Sequence, residues 1–236
     1  MTDFHFIRHL PPHPDAYLRA YGVGEVPVVT THSLVVDRIS HLSQDLPRGA
    51  SWHVSPTPRT RLTADLILAA NPKLKPAARI EDEGFLEQKF GVFIDRLHSE
   101  LRADPDFIKY AADPHNVAPV GGESLSQTYA RVGARLDNLM GQDGPHVIVA
   151  HGGTLGGALH WGHEFADDHM RERMALYMGG GQLGKQKLTP MAHIFMRLVD
   201  HGTGPKLVSF NVTGGPEFRT RESLAEPAAI PPSLTP

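Results

Sequence analysis

Three short apolar runs in this chain each stop at a basic or imidazole side chain, and that recurrence limits the folds open to it. Phe4 to His9 (FHFIRH) ends on Arg8 and His9, with Leu10-Pro11-Pro12 behind them. Ser51 to Ser55 (SWHVS) leads through Thr57-Pro58 to Arg59, and His146 to Ala150 (HVIVA) stops at His151 before Gly152-Gly153. Short apolar runs separated by longer stretches of helical period are the pattern of βα units around a mostly parallel sheet. A near-continuous apolar run such as HVIVA belongs to a strand covered on both faces.

The helical patterns fall between these runs. Ser33 opens one through Leu34, Val35, Ile39 and Leu42 that ends near Pro47. Thr57 in an N-cap position and Pro58 at the first helical position start a second, striped by Leu62, Leu66 and Ala70. Ser124 and Gln127 form a capping-box pattern ahead of Leu125, Val132, Leu136 and Leu139, and Gly141 is placed to stop that helix. Ala192 to Val199 and Leu207 to Val212 read as two strands joined by HGTGP, an antiparallel pair added to the sheet. The expected fold is α/β: a three-layer α/β/α sandwich whose mostly parallel central sheet carries an antiparallel edge strand. Gly179 to Pro190 reads as a mobile loop, and from Gly214 the chain is a Pro-, Glu- and Ala-rich, weakly ordered tail. This gives one domain over 1–213 and a tail over 214–236.

Composition narrows the chemistry. A net charge of -3 points neither to nucleic acid nor to an anionic membrane, so anion binding must come from a local cluster. The absence of cysteine excludes disulfides, thiolate metal sites and thiol catalysis. No apolar run reaches membrane-spanning length, and Arg8 and His9 interrupt the first hydrophobic stretch, so a cytoplasmic location is expected.

In an open parallel sheet, ligands bind outside the carboxyl ends of the strands, and helix N-termini there add oriented N–H groups. Arg8, His9, Arg59 and His151 are all assigned to that edge. Two guanidinium groups, two imidazoles and free backbone donors suit a compact dianion, most naturally a phosphate.

Five segments, in order along residues 4 to 160, resemble the histidine phosphatase superfamily, which includes phosphoglycerate mutases and α-ribazole phosphatases. FIRH resembles its opening strand and Arg-His pair; SPTPRTRLTA, Ser55 to Ala64, its second motif; LEQKFG, Leu86 to Gly91, the acidic segment. GGES, Gly121 to Ser124, and VIVAHGG, Val147 to Gly153, resemble the start of the next long helix and the second histidine motif. The resemblance implies a phosphoglycerate mutase-like fold. It also implies hydrolysis of a small-molecule phosphomonoester through a phosphohistidine on His9, without metal or other cofactor. Arg8, Arg59, His151 and Gly152 would hold the phosphoryl group, and Glu87 would protonate the leaving oxygen and then activate water. His151 beside the dianion is expected to be protonated. The mutases' longer signature is replaced here by FGVFIDRL, which favours phosphatase over mutase. Leu10-Pro11-Pro12 stands where the family usually has glycine, and in the loop behind it His13 or Tyr17 could replace the family's polar contacts.

Other readings remain beside this one. An inactive, partner-binding member of the same fold would carry the same motifs. His160, His163, Glu164 and Asp167 share a helical face and could hold a metal. Gly179 to Gln186 nearly fits a P-loop, but Gln186 replaces the hydroxyl residue and no strand precedes it. Glu123 either favours a helix N-terminus or supports the site. A homodimer is left open, with the Met-rich segment 170–178 as core or interface.

Overall fold

Phe4 and Phe6 on one side of the first strand, and Ile7 on the other, enter two separate hydrophobic clusters. Period-two alternation does this only when both faces of a sheet are covered. The computed structural model describes residues 1–142, 144–178, 188–200 and 202–225. Its strands are β1 (Thr2–Arg8), β2 (Ser51–Val54), β3 (Ala78–Glu81), β4 (His146–Ala150), β5 (His193–Asp200) and β6 (Pro205–Thr213). They form one sheet in the order β3-β2-β4-β1-β5-β6. β3, β2, β4 and β1 pair in parallel, and β5 runs antiparallel to both β1 and β6. The antiparallel element is therefore the β5–β6 hairpin at one edge, as its short HGTGP link requires.

The helices are α1 (Ser33–Asp45), α2 (Pro58–Ala70), α3 (His98–Leu101), α4 (Pro105–Ala112), α5 (Leu125–Met140), α6 (Gly152–Glu164) and α7 (Asp168–Ala175). α1 and α2 cover one face around Trp52, Val147 and Val149; α5, α6 and α7 cover the other around Phe4, Phe6 and Ile148. Met170 and Met174 lie in that second cluster, so this part of the Met-rich segment is core. The capping box forms as its spacing requires: Gln127 N–H donates to Ser124 Oγ at 3.2 Å, and Ser124 N–H to Gln127 Oε1 at 2.8 Å. Thr57 occupies the N-cap of α2, but its hydroxyl bonds Thr60 Oγ1 at 2.8 Å instead of a backbone N–H. β3 goes unread in the sequence because it is a four-residue, mostly exposed edge strand, too short for the alternation of Ala78 and Ile80 with Arg79 and Glu81 to stand out.

The segment from Gly214 differs from the weakly ordered tail expected of it. Phe218 is buried in the α1–α2 layer, its ring centroid 4.6 Å from that of His32. Arg219 lies 4.5 Å over the Tyr17 ring, and Arg221 grips Asp15 through two bonds of 3.1 and 2.9 Å. One large aromatic anchors a stretch whose average composition is that of a tail. The remainder of that segment, and residues 179–187 of the glycine-rich loop with its P-loop-like pattern, lie outside the described residues. In Phe218→Ala, limited proteolysis within 214–225 should quicken by roughly tenfold or more, because cleavage follows the population of the undocked form. Global stability should fall by less than the cost ordinary for a buried Phe-to-Ala change, about 3–5 kcal/mol, because this anchor can undock locally.

Candidate active site

Arg8 closes β1, His9 and His151 directly follow β1 and β4, and Arg59 stands in the first turn of α2 beyond the end of β2. His9 follows β1 directly, and its N–H still bonds Ala150 O of β4 at 2.9 Å. The ring is buried, and its Nδ1 lies 2.7 Å from Leu10 O. A carbonyl only accepts, so Nδ1 carries the proton and Nε2 keeps its lone pair. Burial, then the charges of Arg59 and Arg8, hold the imidazole well below its usual pKa, against the Leu10 carbonyl, which raises it. His9 is thus neutral, the form that can act as a nucleophile.

The main chain of the residue after His9 supplies this orientation, as a glycine there would too. Leu10 is fully buried, its carbonyl receives His9, and its N–H donates to Thr63 Oγ1 at 2.9 Å. Thr63 in turn donates to Arg59 O at 2.6 Å, tying the turn after His9 to the first turns of α2.

Arg59 is 2% exposed. One terminal nitrogen donates to Gly24 O at 2.6 Å; the other donates to Gly22 O at 2.5 Å and to His151 Nδ1 at 3.1 Å. Its Nε–H has no partner. Arg8 donates through a terminal nitrogen to Leu188 O, and its buried Nε–H is also without a partner. Arg8 packs against Gly152, where a Cβ would stand in ordinary contact with its guanidinium, 3.4 Å from Cζ.

His151 is the N-cap of α6 and fully buried, its ring centroid 5.2 Å from that of His9. Because a guanidinium can only donate, Nδ1 is the acceptor and Nε2–H donates to Ser55 Oγ at 2.8 Å. Burial, then Arg59, His9 and Arg8, keep this ring well below its usual pKa. The surroundings thus favour neutral His151. The protonation expected from a neighbouring dianion has all of these influences to overcome.

Glu87 reaches the amino end of α6. Its Oε1 accepts from Gly153 N–H and from Gln88 N–H, both at 3.0 Å. A Cβ on Gly153 would collide with that oxygen, so glycine is required for the approach. Glu123 forms a 2.7 Å ion pair with Arg131 of α5.

The sequence reading missed Ser55 as the His151 partner, and it missed the loop Tyr21–Gly24 that cradles Arg59, with Tyr21 5.5 Å beneath the guanidinium. The signal was present in the two glycines of YGVG, whose carbonyls meet Arg59. Of the two candidates for the polar contact, His13 faces its own turn, its Nδ1 accepting from Asp15 N–H at 3.4 Å. Tyr17 keeps a buried hydroxyl with no partner. The four-residue metal cluster is divided: His160 packs edge-on to Tyr129 at 5.3 Å, and Asp167 caps α7. Among the described residues, no group of three or more metal-ligating side chains forms. No helix among them is long and apolar enough to cross a membrane.

Buried imidazoles also set the pH range of the fold. Burial is the leading cause holding His5 and His146 at about 4 and His193 at about 3, and it also holds His9 and His151 well below the usual imidazole range. Below the ordinary imidazole pKa of 6.5 the unfolded chain binds protons at these positions that the folded chain does not. Stability is therefore complete above that pH and is lost as pH falls through this window. Each group contributes up to about 1.4 kcal/mol per pH unit there. Melting temperatures should be flat from about pH 7 to 8.5 and drop steeply between about pH 6.5 and 4.5 in a thermal-melt series.

The comparisons with known proteins agree with this geometry. YhfR from Bacillus stearothermophilus superposes with a TM-score of 0.66 at 21% identity, over 88% of this chain and 96% of that one. A mycobacterial glucosyl-3-phosphoglycerate phosphatase complexed with VO3 gives 0.65 at 17% identity, over 91% and 99%. A putative alpha-ribazole-5'-P phosphatase from Escherichia coli gives 0.64 at 15% identity, over 89% and 96%. At these identities the likeness is one of fold. No curated protein matches the sequence. The family model of the histidine phosphatase superfamily (branch 1) matches residues 32–177, more than half of the chain, including Arg59, Glu87 and His151 but stopping short of Arg8 and His9. The chain belongs to the histidine phosphatase superfamily.

Proposed function

We propose that this protein is a phosphatase that hydrolyses small-molecule phosphomonoesters through a phosphohistidine on His9. The observation that carries the reading is the pair of buried, unpartnered Nε–H groups on Arg8 and Arg59, one adjacent to His9 in sequence and both felt by its imidazole. Buried donors without acceptors are costly, on the order of 1–3 kcal/mol each, and mark a place for an acceptor-rich ligand. A phosphoryl group supplies those acceptors and balances the two positive charges.

In the first step the Nε2 lone pair of His9 forms the N–P bond as the P–O bond to the leaving group breaks. Glu87, in its acid form, gives its proton to the departing oxygen. In the second, Glu87 as carboxylate takes a proton from water, whose oxygen attacks phosphorus while the P–N bond breaks and returns the lone pair to His9. Arg8, Arg59, His151 and the N–H of Gly152 stabilise the equatorial oxygens. The two guanidinium groups supply the positive charge, so the proposed reaction is metal-independent. The catalytic unit is one domain over 1–213, and 214–236 is an appendage whose described part packs beside the loop after His9.

The leaving-group side favours hydroxyl-bearing substrates. Four of the five tyrosines, Tyr17, Tyr21, Tyr110 and Tyr129, have phenols pushed up by burial, and either Arg8 or Glu87 acts on each of them. They remain neutral donors over the working pH range, and Tyr110 O–H donates to Gln88 Oε1 beside Glu87 at 3.2 Å. These neutral phenols within the electrostatic reach of Arg8 and Glu87, together with the names of two structural relatives, support a sugar-like or glycerate-like leaving group. The test is hydrolysis of an aryl phosphate with chelator present, followed by a screen of phosphorylated metabolites. Turnover that is indifferent to chelator, with an acid-labile, alkali-stable phosphoprotein on rapid quench, is expected. No turnover on any phosphomonoester would sink the reading.

A further inference from the structure

The Glu87 side chain ties its loop only to Gly153 N–H and its own neighbour Gln88 N–H, and Thr154 Oγ1 holds Phe85 O and Leu86 O from α6. The other grip on its backbone neighbours comes from one ion pair and the main chain beside it. Arg131, on α5, donates through a single terminal nitrogen to Gly84 O and Leu86 O, both at 3.0 Å. The rest of its guanidinium closes on Glu123, with Nε to Oε1 at 3.1 Å and the second terminal nitrogen to Oε2 at 2.7 Å. Glu123 then grips the other side. Its N–H donates to Lys89 O at 2.8 Å, its carbonyl receives Gln88 Nε2 at 2.7 Å, and Oε2 receives Lys89 N–H at 3.4 Å. Arg131 thus holds Leu86 through its side chain, Glu123 holds Gln88 and Lys89 through its main chain and Lys89 also through its carboxylate, and Glu87 is the residue between them.

We propose that the Glu123–Arg131 pair is the positioning device for Glu87, holding its carboxylate at the amino end of α6 for proton transfer. The inference rests on the reading of Glu87 as the acid, and it assigns Glu123 a role beyond favouring a helix N-terminus. Both members are partly buried, at 22% and 16% side-chain exposure. Ion pairs of this kind add little net stability, so their geometric demand is the more telling property. Only arginine meets that demand: a planar fork can span two carboxylate oxygens and two carbonyls at once, whereas an ammonium is a single point. A general acid displaced by about 1 Å loses most of its effect, while the nucleophile and phosphate donors, held by other elements, are unaffected.

The experiment compares kcat/KM, which reports the step in which the leaving group departs, across aryl phosphates from 2,4-dinitrophenyl to phenyl phosphate. The proteins are wild type, Arg131→Lys, Glu123→Gln and Glu87→Gln. Dinitrophenolate leaves without a proton; phenolate needs one. Arg131→Lys and Glu123→Gln should each lose less than roughly threefold on the dinitrophenyl ester and roughly thirtyfold or more on phenyl phosphate, a smaller copy of Glu87→Gln. Glu123→Gln preserves volume and the main-chain bonds, and circular dichroism melts identify any variant that fails to fold. A uniform loss on all substrates, with Glu87→Gln still selective, would overturn the positioning role alone. If Glu87→Gln itself shows no selectivity, the acid is elsewhere and the inference falls with that assignment.

Discussion

Replacing His9 with alanine should lower kcat/KM on an aryl phosphate by roughly 10⁴-fold or more, the scale seen when an enzyme loses its covalent nucleophile. No phosphoprotein should be trapped on rapid quench. The prediction follows from the ring's tautomer: Nδ1 is committed to Leu10 O at 2.7 Å, so Nε2 is the lone pair left to attack, and burial with two neighbouring arginines keeps it unprotonated. The fold should survive. The substitution leaves the Leu10 carbonyl without its imidazole partner, which costs about 1–3 kcal/mol and is readable in a thermal melt. Equal rates for His9→Ala and wild type, both folded, would remove His9 as nucleophile. An inert wild type would instead point to the partner-binding reading.

Arg59→Ala should have the next largest effect, a fall in kcat/KM of about 10²- to 10³-fold, typical of removing a preorganised charged donor from a transition state. Here the loss is compounded. The same guanidinium holds Gly22 O, Gly24 O and His151 Nδ1, so its removal releases the loop over the site and leaves three acceptors unpaired. Stability should drop by about 2–4 kcal/mol from the cavity and the orphaned acceptors. Arg59→Lys should rescue little, because one ammonium cannot meet all three acceptors and still offer a donor to phosphate. Stabilisation of the protein by orthovanadate in a melt should disappear in both variants. A lysine variant within a few-fold of wild type would show that charge alone suffices and that the fork geometry is irrelevant.

Much of this architecture is legible in local sequence because its signals are local. HVIVA must be buried on both faces, Ser124 and Gln127 satisfy each other's backbone across one helical turn, and Pro58 can only begin α2. The edge strand Ala78–Glu81 leaves only a faint mark, since four mostly exposed residues give its alternation too little length to stand out. Phe218 was equally hidden, its burial set by a partner ring at position 32 that no window of sequence connects to it. The site divides in the same way. Arg8, His9, Arg59, Glu87 and His151 could be named from strand ends and from resemblance, but their neighbours could not.

By itself the sequence determined which chemical groups reach the carboxyl edge of the sheet, because strand period, prolines and glycines decide where each strand stops. Only the tertiary structure decided their states. Leu10 O selects the tautomer of His9, Ser55 and Arg59 occupy both nitrogens of His151, and Arg131 with Glu123 fixes the loop of Glu87. Protonation and orientation depend on burial and on partners brought from distances of up to about a hundred residues along the chain, and those are properties of packing.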